Sequence, residues 1–204
     1  MKKNKVKFNL KNAYYAKILE MSETTMTFDT PVALPGSVSL SLDPSGENEN
    51  FYADGGVYYV ISNNQGYEGD YEIALVPESF RTDILGESLD GKKVLVENAN
   101  VETAPFAFLF EFDGDVKHIK HVLYNCTASR TGLESATNED SKEVKTETLT
   151  ISAAPTPSGL VKARTGDDTD ETVYNNWYKA VYIPADETTN TTNTSTTTTE
   201  GGEG

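Results

Sequence analysis

Residues 5–10 alternate: Val6, Phe8 and Leu10 take one side, and Lys5, Lys7 and Asn9 the other. That is the period-two pattern of a half-buried strand. A second strand is expected over residues 14–19. The pattern returns over residues 38–42, with Val38, Leu40 and Leu42 inward and Ser39 and Ser41 outward. Asp43, Pro44, Ser45 and Gly46 then supply turn chemistry, because proline fixes φ and glycine accepts positive φ. With Glu47 they open an exposed polar loop over residues 43–50. Residues 51–61 read as a strand interrupted at Asp54, Gly55 and Gly56, where tandem glycine suggests a bulge or bend. After a turn at 63–66, residues 67–76 form the strongest strand. Tyr67, Tyr71, Ile73 and Leu75 share one face, and Glu68, Asp70 and Glu72 the other. The pattern pairs these two runs as a hairpin.

Residues 77–86 carry the grammar of a helix: Pro77 at the start, acids in the first turn and Gly86 at the end. Phe80 and Ile84 lie four apart and would face the sheet together. Phenylalanine then occupies every second position from Phe106 to Phe112, followed by Asp113 and Gly114, a tight-turn signal. The partner strand is expected over 116–129, a second polar loop over 130–145, an alternating strand over 146–153 and a short strand over 160–164. Trp177 and Tyr178 fall in a helical turn. Many short strands with regular turn signals give a mainly β fold, a sandwich or barrel with one flanking helix. Residues 1–185 form a single domain. Residues 186–204, composed almost wholly of Thr, Asn, Gly and acids, are expected to be a disordered tail.

Composition narrows the function. The chain has 204 residues, 11 Tyr, 8 Phe and a net charge of −15. That charge disfavours a grip on the nucleic-acid backbone, while a smooth acidic wall is compatible with it. The start, MKKNKVKFNLKN, has the positive residues of a signal peptide without its apolar run. No segment approaches the ~20 apolar residues of a membrane helix. The expected setting is therefore the cytoplasm.

Chemistry-bearing residues are sparse. His118 and His121 sit on a strand at an odd spacing, which puts them on opposite faces, and no Cys or His nearby completes a zinc site. With Lys117 and Lys120 they form a basic strip suited to acids on a neighbouring strand or subunit. Cys126, the one cysteine, lies in a strand with nothing to activate it and reads as a buried structural thiol. Asp43, Asp54, Asp113 and Asp115 fall at turns, without calcium-loop spacing. The three Asn-x-Ser/Thr matches at 125, 190 and 193 have no secretion signal to give them meaning. There is no phosphate-cradling glycine loop and no nucleophile elbow. No enzyme, cofactor or metal is expected.

Several segments in order resemble the major tail protein, or tail tube protein, of long-tailed phages and prophages of Gram-positive bacteria. They are KVKFNLKN at 5–12, PGSVSLSLDP at 35–44, FYADG at 51–55, GYEGDYEIALVP at 66–77, PFAFLFEFDGD at 105–115 and HVLYNCT at 121–127. Phe80-Arg81 and Leu85-Gly86 add to the likeness, which covers most of residues 1–165. The resemblance implies a β-sandwich or barrel whose subunits form hexameric rings. Those rings stack around a tape-measure protein, with a tail terminator and baseplate or tail-tip proteins at the ends. The tube belongs to the virion, is assembled in the host cytoplasm, and passes DNA without specific binding or membrane insertion by this subunit. On that footing Glu68, Asp70 and Glu72 are the candidate lumen acids, and Asp43, Pro44, Ser45, Gly46 and Glu47 a candidate inter-ring loop. The alternative is a β-rich virion decoration or adhesin-like binding module, whose ligand site would show as exposed aromatics in a cleft; the surplus tyrosines (Tyr52, Tyr58, Tyr59, Tyr67) are candidates, but at strand spacing such residues more often belong to a core or a subunit interface.

Overall fold

The structure is a computed structural model that describes residues 3–133 and 144–184. In chain order the elements are β1 (Lys7–Met21), β2 (Met26–Phe28), β3 (Val32–Leu34), β4 (Ser37–Ser45), β5 (Glu49–Ala53), β6 (Gly56–Ile61), β7 (Gly66–Ile73) and α1 (Glu78–Asp83). There follow β8 (Ser88–Leu89), β9 (Leu95–Val96), β10 (Phe106–Gly114), β11 (Ile119–Ala128), β12 (Glu147–Ala153), β13 (Lys162–Arg164) and α2 (Glu171–Asn176). Strands hold 48% of the described residues and helices 7%, so the mainly β class stands.

One antiparallel sheet organises the chain in the order β2-β1-β10-β11-β12-β7-β4, with β3 added on β1 and β13 on β11. The sheet rolls: β4 returns alongside β1 without a hydrogen-bonded ladder between them. Its concave side encloses one core fed by every long strand, including Tyr15, Tyr71, Phe108, Leu123 and Leu149, with Leu40 and Leu42 of β4 packed against it. Barrel-like rolling is what lets residues from both ends of the strand order meet in one interior. α1 closes one end. Phe80 packs edge-on against Tyr15 at 5.1 Å and Phe106 at 5.4 Å, and Ile84 is buried beside it.

β10 is central and buried on both faces. Phe106, Phe108 and Phe110 point into the barrel, while Ala107 and Leu109 join a second, outer core with Tyr124, Trp177 and Val181. That outer core is completed by residues 173–182 laid over the sheet. α2 is opened by Asp170, whose side chain accepts from the Thr172 and Val173 amides, the capping chemistry that satisfies free N–H groups at a helix start.

Four expectations are corrected. The strands anticipated at 5–10 and 14–19 are one strand, β1, whose alternation resets at bulges around Asn9 (φ 56°) and Asn12 (φ 48°). Asparagine tolerates this left-handed backbone better than most residues. The reset leaves Phe8 54% exposed rather than in the core. The second correction concerns residues 43–50, which are mostly strand and not loop. Asp43, Pro44 and Ser45 pair with Glu68, Tyr67 and Gly66. Pro44 is accepted because β4 is the last strand of the order, where a missing N–H can face outward. Only residues 46–48 lie between strands, so of the candidate inter-ring residues only Gly46 and Glu47 remain in a loop. Third, the hairpin lies within residues 49–61. Asp54 (φ 51°) and Gly55 (φ 80°) form its two-residue turn, the positive-φ geometry that Asp-Gly favours, while β7 pairs with β4 and β12 instead. Fourth, Asp113 and Gly114 are still in β10, and the turn follows at 115–117. Residues 134–143 of the second expected loop and the whole expected tail, 186–204, lie outside the described residues.

Gly69 is what lets β4 approach β7. A Cβ there would stand 2.0 Å from the Ser41 carbonyl oxygen. Gly69→Ala is therefore expected to cost about 2 kcal/mol, the scale of a steric overpack. Amide exchange along β4 should quicken more than along β10. Unchanged exchange in β4 would mean that this contact is not tight.

Candidate functional site

The outward face of β4, β7 and β12 is a continuous polar ladder. Ser39, Ser41 and Asp43 stand opposite Glu72, Asp70 and Glu68. On the other flank Thr148, Thr150 and Ser152 stand opposite the same three acids. Each strand contributes three side chains and none is basic. Alternation explains this face: the inward neighbours Tyr71 and Ile73 on β7, and Leu149, Ile151 and Ala153 on β12, are in the core.

Two of the acids are held in place. The Ser39 hydroxyl donates to Glu72 at 2.8 Å, the Thr146 hydroxyl to Glu72 at 2.5 Å and the Thr150 hydroxyl to Asp70 at 3.0 Å. The Thr146 and Ser39 bonds hold the Glu72 carboxyl below the usual carboxylate range, because both stabilise the ionised form. The structure thus brings Glu68, Asp70 and Glu72 together as expected. It adds Asp43, which sequence reasoning placed in a loop; the signal for it was the unbroken alternation of residues 38–43. Gly46 and Glu47 sit away from this ladder, at the junction between β4 and β5.

The β5–β6 ribbon is a separate two-stranded sheet. Both of its faces are open: Phe51, Tyr52, Val57, Tyr58, Tyr59, Val60 and Ile61 are all exposed, Tyr58 by 72%. Phe51 and Tyr58 touch edge-on at 6.5 Å, so the ribbon is an aromatic surface and not a cleft. Tyr67 belongs to β7 and is half-buried.

The histidines part as expected. His121 faces the barrel interior, stacked 5.0 Å from Phe110. His118 lies on the other side, with Nδ1 2.7 Å from Asp113 and 3.5 Å from Glu111. Those two acids anchor a network that also uses both bulge asparagines. Asn12 donates to Glu111 at 2.7 Å and Asn9 to Asp113 at 3.0 Å. Lys11 pairs with Asp113 at 2.8 Å, and the Tyr178 hydroxyl donates to Glu111 at 2.9 Å. Lys11 and Asn9 hold the Asp113 carboxyl below its ordinary range. Each member has a structural partner, so the cluster fixes the bulged start of β1 on β10. It contains no nucleophile positioned beside a base, the arrangement covalent catalysis requires.

Cys126 is wholly buried and burial pushes its thiol up, away from the reactive thiolate. Among the described residues, no group of three or more His, Cys, Asp or Glu side chains comes together to hold a metal ion. Among the same residues, no helix is long and apolar enough to cross a membrane. Comparison with protein-family models, curated proteins and solved structures returned no match.

Proposed function

We propose that this chain is a structural subunit that polymerises into stacked hexameric rings and forms a phage tail tube, the conduit for DNA ejection. The observation that carries this reading is the acid-and-hydroxyl face of β4, β7 and β12, set beside the last strand of the sheet order. No strand pairs with the far edge of β4 among the described residues, and an unpaired edge is a template for another chain. Ring closure through such edges would join the faces of neighbouring subunits into one wall. A wall carrying carboxylates and no cation repels the phosphate backbone, so DNA slides without dwelling. Hydroxyl donors fix the orientation of Asp70 and Glu72, aimed outward from the core.

Partners under this reading are further copies of the chain, a tape-measure protein within the bore, and terminator and baseplate or tail-tip proteins at the ends. Electron microscopy of the purified chain tests it: rings or tubes of uniform bore are expected. In virions, Glu68→Lys combined with Asp70→Lys should leave tubes intact and slow DNA ejection several-fold, with the defect shrinking at high salt as phosphate contacts are screened. Normal ejection by that variant would take the acidic face off the lumen. The aromatic ribbon is the observation that favours the second reading, a decoration or adhesin-like module; monomers that bind glycans through Tyr52 and Tyr58 would support it.

A further inference from the structure

The end of the barrel opposite α1 is open. A cavity of about 200 Å³ enters there. Its apolar walls include Leu40, Leu42, Phe110 and Phe112, and Lys7, Lys162 and His121 stand around it. The phenylalanine row explains the placement. Phe106 meets α1 at the closed end, and Phe112 reaches the open one.

Three features make this mouth receptive to an anion. First, among the described residues Lys7, Lys162 and nearby Arg164 have no carboxylate within ion-pair distance; Lys7 stands over the Phe112 ring, and Lys162 stands over the Tyr67 ring and donates to its hydroxyl. Three cations without a carboxylate partner are thus gathered at one place in a chain of net charge −15. Second, the Nε2 of His121 is buried and has no hydrogen-bond partner. An orphaned buried polar atom is costly unless something satisfies it. Third, the aliphatic and aromatic walls would shield any ion pair formed there, where attraction is stronger than in water.

The β5–β6 ribbon has the complementary chemistry. From Glu47 to Ile61 it carries Glu47, Glu49 and Asp54 and no basic residue. Its tip is slim: Asp54 follows Ala53 and precedes Gly55 and Gly56, with nothing packed near either glycine. A cavity of this size admits such a tip, while Tyr52 and Val57 behind it would meet the apolar rim. The ribbon leaves the barrel from Ser45 and returns at Gly66, beside the mouth residues Leu42 and Tyr67. Ribbon and mouth therefore lie at the same end of the molecule. The six residues of β6 span about 20 Å, enough to reach sideways to a neighbour.

We propose that the open mouth of the barrel receives the β5–β6 ribbon tip of a second copy of this chain, with the Asp54 carboxylate seated between Lys7 and Lys162 and accepting a hydrogen bond from His121. Donor and acceptor surfaces differ, so the contact is heterologous, and because both lie at one end it runs around a ring and not along a stack. The inference rests on the self-assembly reading and assigns its lateral contact.

Two variants isolate this interface, and each changes only exposed side chains. Lys7→Glu with Lys162→Glu disables the mouth and keeps the ribbon; Asp54→Lys disables the ribbon and keeps the mouth. Mixed together, they can form this contact once and cannot propagate it. Sedimentation should show a one-to-one complex, each variant alone being at least tenfold weaker in self-association. In the ribbon-disabled copy, labelled at histidine, the His121 imidazole resonances should shift on mixing. Absence of a complex while wild-type rings still form would overturn the proposal and spare the tube reading. A complex without a His121 shift would move the ribbon to another surface and also overturn it. A His121 shift in dilute wild-type monomer that is lost in D54K would mean that the ribbon folds onto its own mouth, again against the proposal. Wild-type protein that forms no ring under any condition would count against the tube reading itself.

Discussion

Phe108→Ala is expected to remove about 4 kcal/mol of folding stability, the scale of emptying a fully buried phenylalanine site. Phe108 has no exposed surface and sits mid-barrel. It meets Tyr71 edge-on at 5.1 Å and lies 6.4 Å from Phe106 and 5.2 Å from Phe110. Each aromatic pair adds on the order of 1 kcal/mol beyond the burial of its area. The residue also ties β10 to β7, strands separated by two others in the sheet order, so the cavity opens between elements that cannot easily collapse together. Since a domain of this kind has about 5–15 kcal/mol in total, the variant should unfold at a much lower urea concentration. Tyr58→Ala on the ribbon supplies the contrast. It removes as large a ring from an exposed site, and surface changes of that kind usually stay within about 0.5 kcal/mol. Equal losses from the two substitutions would contradict the barrel interior described here.

That contrast also shows what the sequence could and could not reveal. Phe108 and Tyr58 both lie in strand-like aromatic runs. Alternation identified the first as core because its strand continued cleanly for seven residues. It could not tell that the second sits on a ribbon with two open faces, since tyrosine suits a core and an interface alike. The β7 acids were legible for the same reason as Phe108: period-two spacing forces Glu68, Asp70 and Glu72 to one side. What alternation cannot carry is pairing. Asp43 and Pro44 looked like a turn because proline and aspartate favour one, and the free edge of β4 overrode that local preference. The bend at Asp54-Gly55 was legible, but reading residues 51–61 as one strand hid that it closes a tight hairpin. In β1 the bulges at Asn9 and Asn12 depend on distant acids, Asp113 and Glu111. A partner about a hundred residues away leaves no mark in a local window. The barrel mouth has the same origin. His121, Lys7 and Lys162 come from three strands, and only rolling the sheet brings them together.

His121 should make the fold less stable as the solution is acidified, by up to about 3.5 kcal/mol. Burial, with Arg164, Lys7 and Lys162 close by, pushes its pKa down from 6.5 to about 4. Both causes disfavour the imidazolium, since it would lose water and face three like charges. The unfolded chain takes up the proton near its ordinary value while the folded chain resists. Between those two values the unfolded state binds more protons, so stability rises with pH there. The loss begins as pH falls below about 6.5 and is complete near 4, where the folded form is protonated too. A gap of 2.5 units at about 1.4 kcal/mol each sets the size. Glu72 and Asp113 act lower on the scale. Their folded carboxyls are held below ordinary values, so their contribution is present above the unfolded carboxylate range and is lost only as pH falls through the folded one. Between pH 6.5 and 4.5 the slope therefore belongs mainly to the histidine. His121→Phe keeps a ring against Phe110 and removes the titration. Urea unfolding at pH 7 and at pH 5 should show a marked drop for the wild-type chain and a much smaller one for the variant. Equal drops would mean that His121 is hydrated in the native state, and that the mouth of the barrel is wetter than its packing indicates.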